Sequence, residues 1–234
     1  MLGSYFDIAL ALAGFLLEIY VVVYSLYKKA FFRNIAINFY MLCDAGVTCG
    51  LYFCMRRYGQ NSPTYGYYYY YTDRLLTILM FWVIIRFYQQ VFGEMQVSRY
   101  VRQAAVLLLL ATAFFSYAVV HENRAHLTGR FIIEFGQNLY FVGVVLTYLL
   151  WGTILKLRET RARLVQLVLA LGVYFSATAG SYAIGNLFPH LYLPFLRLLF
   201  PVVGVWLPLA WAYTFTKVPE DARLATASLV ARAR

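Results

Sequence analysis

Charged residues are scarce in this chain of 234 residues. They make up 13% of it, whereas a typical soluble domain has about 25%, and hydrophobic residues make up 62%. Apolar runs cover nearly the whole sequence, which leaves no room for a soluble domain of any size. The formal net charge is +10, but the basic residues fall in short segments between apolar runs. This distribution argues against nucleic-acid binding and is typical of the loops of membrane proteins.

Cysteine and histidine are also few, and their positions exclude several kinds of site. The three cysteines, Cys43, Cys49 and Cys54, share one apolar segment, and an odd number at this spacing indicates neither a disulfide framework nor a zinc site. The histidines lie at the ends of apolar segments, which argues against haem ligation inside the membrane. The last apolar segment has no lysine for a retinal Schiff base. We therefore expect no metal and no cofactor, although bound lipid fits such a composition.

Catalytic motifs are missing as well. The sequence has no G-x-S-x-G nucleophile elbow, no H-E-x-x-H pattern and no phosphate-binding loop. It also lacks the Pro-Gln pair of small sugar transporters of similar size. We therefore expect that the protein is not an enzyme.

What the chain has in abundance is apolar sequence of bilayer length. About 20 apolar helical residues cross the hydrocarbon core of a membrane. Residues 1–216 contain seven such segments, which predict an all-α bundle of seven transmembrane helices. Residues 217–234 are a short tail, which is either an amphipathic helix on the inner leaflet or a frayed end. The seven segments cover residues 5–27, 34–54, 72–93, 101–121, 131–155, 164–187 and 191–216.

The charge of the loops predicts the orientation. Basic residues concentrate in cytoplasmic loops, so the N-terminus is predicted outside and the C-terminus in the cytoplasm. The predicted outer side holds Arg56, Arg57, Arg74, Arg124 and Arg130. The predicted inner side is richer and holds Lys28, Lys29, Arg33, Arg99, Arg102, Lys156, Arg158, Arg161, Arg163, Lys217, Arg223, Arg232 and Arg234.

A tyrosine-rich stretch precedes the third apolar segment. We predict that Thr72 or Asp73 caps this helix, so that the tyrosines form a surface segment before it. They are either an aromatic belt at the membrane interface or a surface for a ligand or partner. The aromatic segment consists of Tyr65, Tyr67, Tyr68, Tyr69, Tyr70 and Tyr71.

Ionisable side chains inside the apolar segments form a predicted polar cluster. Counted from the cytoplasmic ends, Glu18, Asp44 and Arg86 fall at one level of the bilayer. Buried charges of this kind are costly and are usually paired or functional. We predict that Arg86 pairs with Glu18. The cluster is either a structural clamp, or a proton relay or counter-charge for a ligand.

A second polar group is predicted near the outer side. Glu134 and Asn138 share a helix face because they lie four residues apart. The group is either an outward-facing pocket or a polar cap at the interface. Its members are Glu134, Gln137, Asn138, Tyr182, His190 and Arg197.

Small residues and prolines mark two further features. Small residues at four-residue spacing predict close helix packing, within the bundle or in a homodimer. They are Gly46, Gly50, Gly172, Ser176 and Gly180. The last segment has Pro194, Pro201 and Pro208 at a regular spacing, which predicts either a bent helix or a moving hinge.

Residues 31–92 contain the pattern Y-x-x-x-x-x-D-R-L-L-x-x-L-x-F-x-V-I-I-R-x-Y-x-x-V-F, which runs from Tyr67 to Phe92. This pattern resembles that of an uncharacterised family of bacterial seven-helix membrane proteins. The layout is also loosely similar to the seven-helix sensor modules of bacterial histidine kinases, at the level of fold only. The resemblance implies a bacterial cytoplasmic membrane and no particular activity.

Two functions are compatible with these features. The first is a receptor-like or partner-binding subunit of a membrane complex, with a protein partner or a homo-oligomer besides the lipid bilayer. The alternative is a small-solute or proton-coupled transporter that uses the charges inside the membrane.

Overall fold

The computed structural model describes residues 2–92, 98–121, 127–157 and 159–223. Within these ranges, it describes the side chains except those of residues 2–8, 98–102, 105, 119–121, 127–130, 189–198 and 200. The described ranges contain seven α-helices, so the all-α class is confirmed. They are α1 (Leu2–Tyr27), α2 (Ile35–Tyr58), α3 (Pro63–Val91), α4 (Ser98–His121), α5 (Leu127–Lys156), α6 (Ala162–Leu187) and α7 (Pro189–Lys217).

Five of these helices are long and apolar enough to cross a membrane, which indicates a membrane protein. The spans are Ala9–Tyr27, Ile35–Tyr58, Pro63–Val91, Phe131–Lys156 and Ala162–Leu187. The described part of α4 holds a shorter apolar stretch, Val106–Ala118. The crossing of the bilayer by α4 and α7, and the orientation of the bundle, stay predictions.

Six of the helices pack into a ring. Going round it, α1 contacts α2, α2 contacts α3, α3 contacts α5, α5 contacts α6, α6 contacts α7, and α7 returns to α1. The fourth helix, α4, packs against α3 and α5 on the flank of this ring. The chain order and the ring order therefore differ at α4, which brings α3 and α5 side by side.

Large apolar side chains fill the space between neighbouring helices. The rings of Phe81 on α3 and Phe175 on α6 meet edge to face with centroids 6.2 Å apart. Trp211 on α7 is fully buried, and its indole N–H donates to the carbonyl oxygen of Leu167 at 3.3 Å. Edge-to-face aromatic pairs and satisfied indole groups stabilise such contacts and fix their geometry.

The predicted start of the third helix is wrong. Helix α3 begins at Pro63, and the hydroxyl of Ser62 caps it by accepting a hydrogen bond from the backbone N–H of Tyr65 at 3.2 Å. Proline suits the first helical position because the N–H that it lacks would have no helical partner there. The tyrosine-rich stretch is therefore the beginning of α3 and not a loop before it. Asp73 consequently lies well inside the helix.

The five small residues predicted to mark close helix packing differ in what lies near them. A Cβ at Gly50 would overlap the ring of Tyr68, so α2 and α3 approach closely there. Gly172 lies near Thr147, at ordinary contact distance. Among the described residues, a Cβ at Gly46 or Gly180 would meet no atom within 4 Å, so neither marks a close approach. Ser176, the last member of this set, has a buried hydroxyl without a partner in the described part of the chain.

The tail is attached to the bundle as far as it is described. Glu220 forms ion pairs with Arg33, which follows α1, and with Arg163 at the start of α6. The backbone N–H of Ala162 donates to the carbonyl oxygen of Ala222 at 3.0 Å. Residues 224–234, on which the predicted amphipathic helix depends, lie outside the described residues.

Candidate functional site: an acidic cavity inside the helix ring

A cavity of about 420 Å³ lies inside the ring, and all six ring helices contribute to its wall. On α3 it extends from Tyr65 in the first turn to Met80. At 1.5 Å per residue, this is a length of about 22 Å along the helix axis. The cavity therefore reaches from one end of the bundle deep into the part that the membrane would cover. We call it the central cavity.

Three carboxylates line the central cavity, from Glu18 on α1, Asp44 on α2 and Asp73 on α3. Asp44 lies within electrostatic range of both other carboxylates. Helical periodicity explains how each helix presents its acid to the cavity. On α1, Glu18 shares the lining with Gly14, one turn before it.

The carboxylate of Glu18 is the least satisfied of the three. The residue is 5% exposed, and its Oε2 atom has no hydrogen-bond partner in the described part of the chain. Gly14 and Val205 of α7 lie beside it: a Cβ at Gly14 would be 3.7 Å from Val205 and 3.9 Å from Oε1 of Glu18. Buried polar groups in proteins are normally hydrogen-bonded, so an oxygen of this kind is available for a ligand.

Among the described residues, Asp44 has one hydrogen-bond partner. The hydroxyl of Tyr40, one turn earlier on α2, donates to its Oδ2 at 3.2 Å. The ring of Tyr40 packs edge to face on Trp211, with centroids 6.0 Å apart. Tyr40 therefore holds Asp44 from a position that is itself fixed by the packing of α2 on α7.

Asp73 is held by an adjacent arginine and a tyrosine from α5. It pairs with Arg74, and its Oδ1 accepts a hydrogen bond from the hydroxyl of Tyr140 at 3.1 Å. Arg74 is 6% exposed, and its Nε donates to the carbonyl oxygen of Ile132 at 2.8 Å. A Cβ at Gly136 would overlap the guanidinium, so this glycine makes room for Arg74 against α5.

Among the described residues that line the central cavity, three are acidic and none is basic. Arg74 can neutralise Asp73, but its guanidinium is directed toward α5 and not toward the other two acids. Glu18 and Asp44 have no ion pair among the described residues. Intramembrane carboxylates are costly, and they usually mark a substrate, ion or ligand site. The cavity is therefore suited to a positively charged ligand.

Tyrosines form much of the remaining wall. They can offer hydroxyl groups for hydrogen bonds and ring faces for cations. Those that line the cavity are Tyr40, Tyr65, Tyr69, Tyr140 and Tyr174.

The six tyrosines of the predicted aromatic segment lie in three different environments. Tyr65 and Tyr69 line the central cavity, four residues apart on α3. Tyr68 packs against Gly50 of α2, as described above. The other three tyrosines are exposed, and they are Tyr67, Tyr70 and Tyr71, with exposed fractions of 62%, 42% and 48%. Tyr69 is exposed to a similar extent, at 41%, although it also lines the cavity.

Two prolines of α7 also face the central cavity. Pro201 and Pro208 line it together with Gly204, and α7 is a continuous helix through both prolines. Pro208 has no N–H, so the carbonyl oxygen of Gly204 lacks its α-helical donor. The side chain of Pro194 lies outside the described residues.

The predicted grouping of Arg86 with Glu18 and Asp44 is wrong. Arg86 lies five residues before the end of α3 and is exposed; it donates to Oε1 of Gln89 at 3.3 Å. Its guanidinium carbon is 5.9 Å from the ring centroid of Trp82. A long side chain near a helix end can reach the interface, so Arg86 needs no buried carboxylate. Asp73 takes its place as the third member of the intramembrane cluster.

The predicted outer polar pocket is split between two sides of α5. Asn138 donates to the hydroxyl of Ser116 on α4 at 2.9 Å, whereas Gln137 accepts from Asn186 on α6 at 3.3 Å. These bonds join α5 to two different neighbours.

The other residues predicted for the outer pocket do not connect these two hydrogen-bonded pairs. Tyr182 stacks on Tyr140 with ring centroids 5.6 Å apart, next to the central cavity. Glu134 is half-buried. The side chains of His190 and Arg197 lie outside the described residues.

The end of the bundle at which α3 ends holds a further charged group, between α5 and α6. Arg161 donates to both carboxylate oxygens of Glu159, from Nε at 2.9 Å and from an amino group at 2.7 Å. These hydrogen bonds lower the pKa of the Glu159 carboxyl below its ordinary value. Arg161 also donates to the carbonyl oxygen of Gln90 at the end of α3.

Within the described ranges, no group of three or more His, Cys, Asp or Glu side chains is arranged to hold a metal ion. The carboxylates of the central cavity therefore do not converge on a single point. The described cysteines, Cys43, Cys49 and Cys54, are free thiols. No protein-family model, curated protein or solved structure matches the chain.

Proposed function

We propose that the protein is a non-enzymatic, receptor-like membrane protein that binds a small organic cation in the central cavity. The observation that carries this proposal is the carboxylate of Glu18, which is 5% exposed, lines the cavity and has an unpartnered oxygen among the described residues. A cationic ligand would compensate this charge and that of Asp44. The absence of catalytic motifs from the sequence supports a role in binding.

The size and chemistry of the cavity favour an ammonium group on a small carbon skeleton. Ligand pockets usually measure about 300–1,000 Å³, and a cavity of about 420 Å³ falls in this range. The separated carboxylates suit one or two ammonium groups better than a single metal ion. Tyrosine rings add cation–π attraction, which is worth about 0.5–2 kcal/mol per contact.

The binding test compares amines with neutral molecules of the same shape. Protein in lipid nanodiscs is titrated calorimetrically with 1,4-diaminobutane, butylamine and 1,4-butanediol. We expect the amines to bind and the diol not to bind. Glu18→Gln should weaken amine binding by about tenfold or more, because a hydrogen bond to a charged group is worth about 1.5–3 kcal/mol.

The control for this test is Glu134→Gln, which removes the same charge from α5 at a position that does not line the central cavity. It should leave amine affinity unchanged. Equal binding of the diamine and the diol, or equal affinity of the Glu18→Gln variant and the parent protein, would contradict the proposal. Failure of both amines to bind a well-folded sample would also contradict it.

The proposal places the bundle in a bacterial cytoplasmic membrane with seven spans and the N-terminus outside. Five spans of sufficient length, the basic residues of the loops and the family resemblance support this placement. The central cavity would then open toward the outside, because it includes Tyr65 at the beginning of α3. A ligand would enter from the medium.

We also propose that the protein binds a protein partner or a second copy of itself. The exposed tyrosines of α3 support it, because aromatic side chains are enriched at protein interfaces. The same helix contributes Tyr65, Tyr69 and Asp73 to the central cavity, so α3 would contact both the cation and the partner.

A transporter is the second candidate, and the position of Pro201 and Pro208 favours it. Both line the central cavity, and proline-containing helices can bend at the hydrogen bonds that they lack. A bend in α7 would change the width of the cavity. In proteoliposomes, a transporter would move labelled diaminobutane, and Asp44→Asn would abolish the flux. Saturable binding without flux would favour the receptor.

A further inference from the structure

A second cavity, of about 270 Å³, lies between the α1–α2 connection, the start of α2 and the end of α3. We call it the inner cavity. Polar and basic side chains line it, together with the first residues of α2. The polar members are Arg33, Asn34, Arg86, Gln89 and Gln90.

The inner cavity carries an excess of positive charge. Arg86 donates to the neutral side chain of Gln89 and has no ion pair among the described residues. Arg33 pairs with Glu220, but Glu220 also pairs with Arg163. One carboxylate thus serves two guanidinium groups, and Arg86 has none. The charges oppose those of the central cavity, so the two cavities select different ligands.

The backbone at the start of α2 adds donors to the inner cavity. Ile35, Ala36 and Ile37 are the first helical residues and all line it. The N–H groups of a first helical turn have no partner within the helix, and the side chain of Asn34 does not cap them. The positive end of the helix dipole therefore lies at the cavity that the two arginines line. These N–H groups would add to the anion binding expected of Arg33 and Arg86. Without the two arginines they would not form a binding site.

The surroundings of the inner cavity are apolar and exposed. Phe32 lines the cavity and is 81% exposed, one of the most exposed large apolar side chains in the described part of the chain. Phe39 and Trp82 form an edge-to-face pair with centroids 5.8 Å apart beside Arg86. Aromatic side chains next to arginines at a helix end are typical of the level of lipid headgroups.

We propose that the inner cavity binds a phosphate group, supplied by an anionic phospholipid of the adjacent leaflet. Arginine binds phosphate through paired hydrogen bonds, and the free N–H groups of α2 can donate to a third oxygen. The acyl chains of the lipid would lie along the apolar surface beside Phe32. A soluble phosphate ester offers the same group without chains, and the test separates these sources.

The experiment measures lipid binding to the purified full chain by native mass spectrometry, with thermal melting in detergent as a second readout. The probes are phosphatidylglycerol, phosphatidylcholine, glycerol phosphate and inorganic phosphate. We expect phosphatidylglycerol to bind about tenfold more tightly than phosphatidylcholine and to raise the melting temperature. Glycerol phosphate and inorganic phosphate should have little effect at the same concentration.

The variant Arg86→Gln should abolish the preference for phosphatidylglycerol, because the loss of one charge-assisted hydrogen bond weakens binding about tenfold. Arg86 is exposed, so the variant should fold. Arg57→Gln is the matched control: it removes an exposed arginine from the other end of α2 and should keep the preference. Equal binding of the two lipids, or equal effects of the two variants, would overturn the proposal. If glycerol phosphate or inorganic phosphate raised the melting temperature as much as phosphatidylglycerol does, the assignment of the lipid as the source of the phosphate group would be overturned.

Discussion

The ion pair between the buried Arg74 and Asp73, whose side chain is 26% exposed, gives the sharpest test of the structure. Arg74 is 6% exposed, pairs with the carboxylate of Asp73, donates to the carbonyl oxygen of Ile132 at 2.8 Å and also hydrogen-bonds to Tyr182. Replacing it by methionine keeps much of its volume but removes these interactions. Asp73 would then retain the hydroxyl of Tyr140 as its hydrogen-bond donor among the described residues.

The loss of the ion pair dominates the cost of Arg74→Met. Removing one partner of a buried ion pair usually costs about 3–5 kcal/mol, because the remaining charge is left without compensation. This value already includes most of the free energy that is lost with the hydrogen bonds of the guanidinium. We therefore expect the free energy of unfolding to fall by about 3–5 kcal/mol, which is a large part of the stability of an ordinary protein.

The double variant Asp73→Asn/Arg74→Met should recover part of this loss. It removes both charges, and the asparagine can still accept a hydrogen bond from Tyr140. The two single variants should therefore be non-additive, with an interaction energy of at least about 1 kcal/mol. The unfolding free energies are measured by titration with dodecyl sulfate in mixed micelles.

Arg57→Met is the control for this series. Arg57 is exposed at the end of α2, and surface substitutions usually change stability by less than about 0.5 kcal/mol. The reasoning is refuted if Arg74→Met costs no more than Arg57→Met. It is refuted equally if the effects of Asp73→Asn and Arg74→Met are additive.

Two further predictions concern packing and orientation. Gly143→Ala should lower the free energy of unfolding by about 1–3 kcal/mol, because a Cβ there would overlap the ring of Phe175. Gly152→Ala on the same helix should not destabilise, because a Cβ there would meet no described atom within 4 Å. In a cysteine-free background, Asn61→Cys should react with an impermeant maleimide from outside and Lys29→Cys only after permeabilisation. Labelling of both from the same side would contradict the predicted topology.

The sequence contained the start signal of α3, although the tyrosines obscured it. Serine followed by proline is a typical helix beginning, as Ser62 and Pro63 show. An earlier start would have placed Asp73 inside the membrane and revealed that Tyr65, Tyr69 and Asp73 share one helix face. The third carboxylate of the central cavity could therefore have been predicted from local signals alone.

The order of the helices could not have been predicted in the same way. Seven apolar segments of similar length carry little information about which of them become neighbours, since each can bury its small or aromatic residues against several others. The contact of α3 with α5 joins residues far apart in sequence, as the bond from Arg74 to Ile132 shows. The prediction that Arg86 meets Glu18 failed for this reason. It assumed which helices are neighbours and how deep each side chain lies in the membrane. Both depend on how the helices pack into the ring.

Side-chain length explains where the charges lie. Aspartate and glutamate are too short to reach an interface from the middle of a helix, so Glu18, Asp44 and Asp73 must face the interior of the ring. Arginine is long enough to reach the interface from near a helix end, as at Arg86. Arg74 lies deeper and is held by Asp73 and a backbone carbonyl. The acidic groups of the central cavity therefore cannot move away from it. A cation that enters the ring would meet acidic side chains that are already in place, so little of its binding energy would be spent on rearranging them.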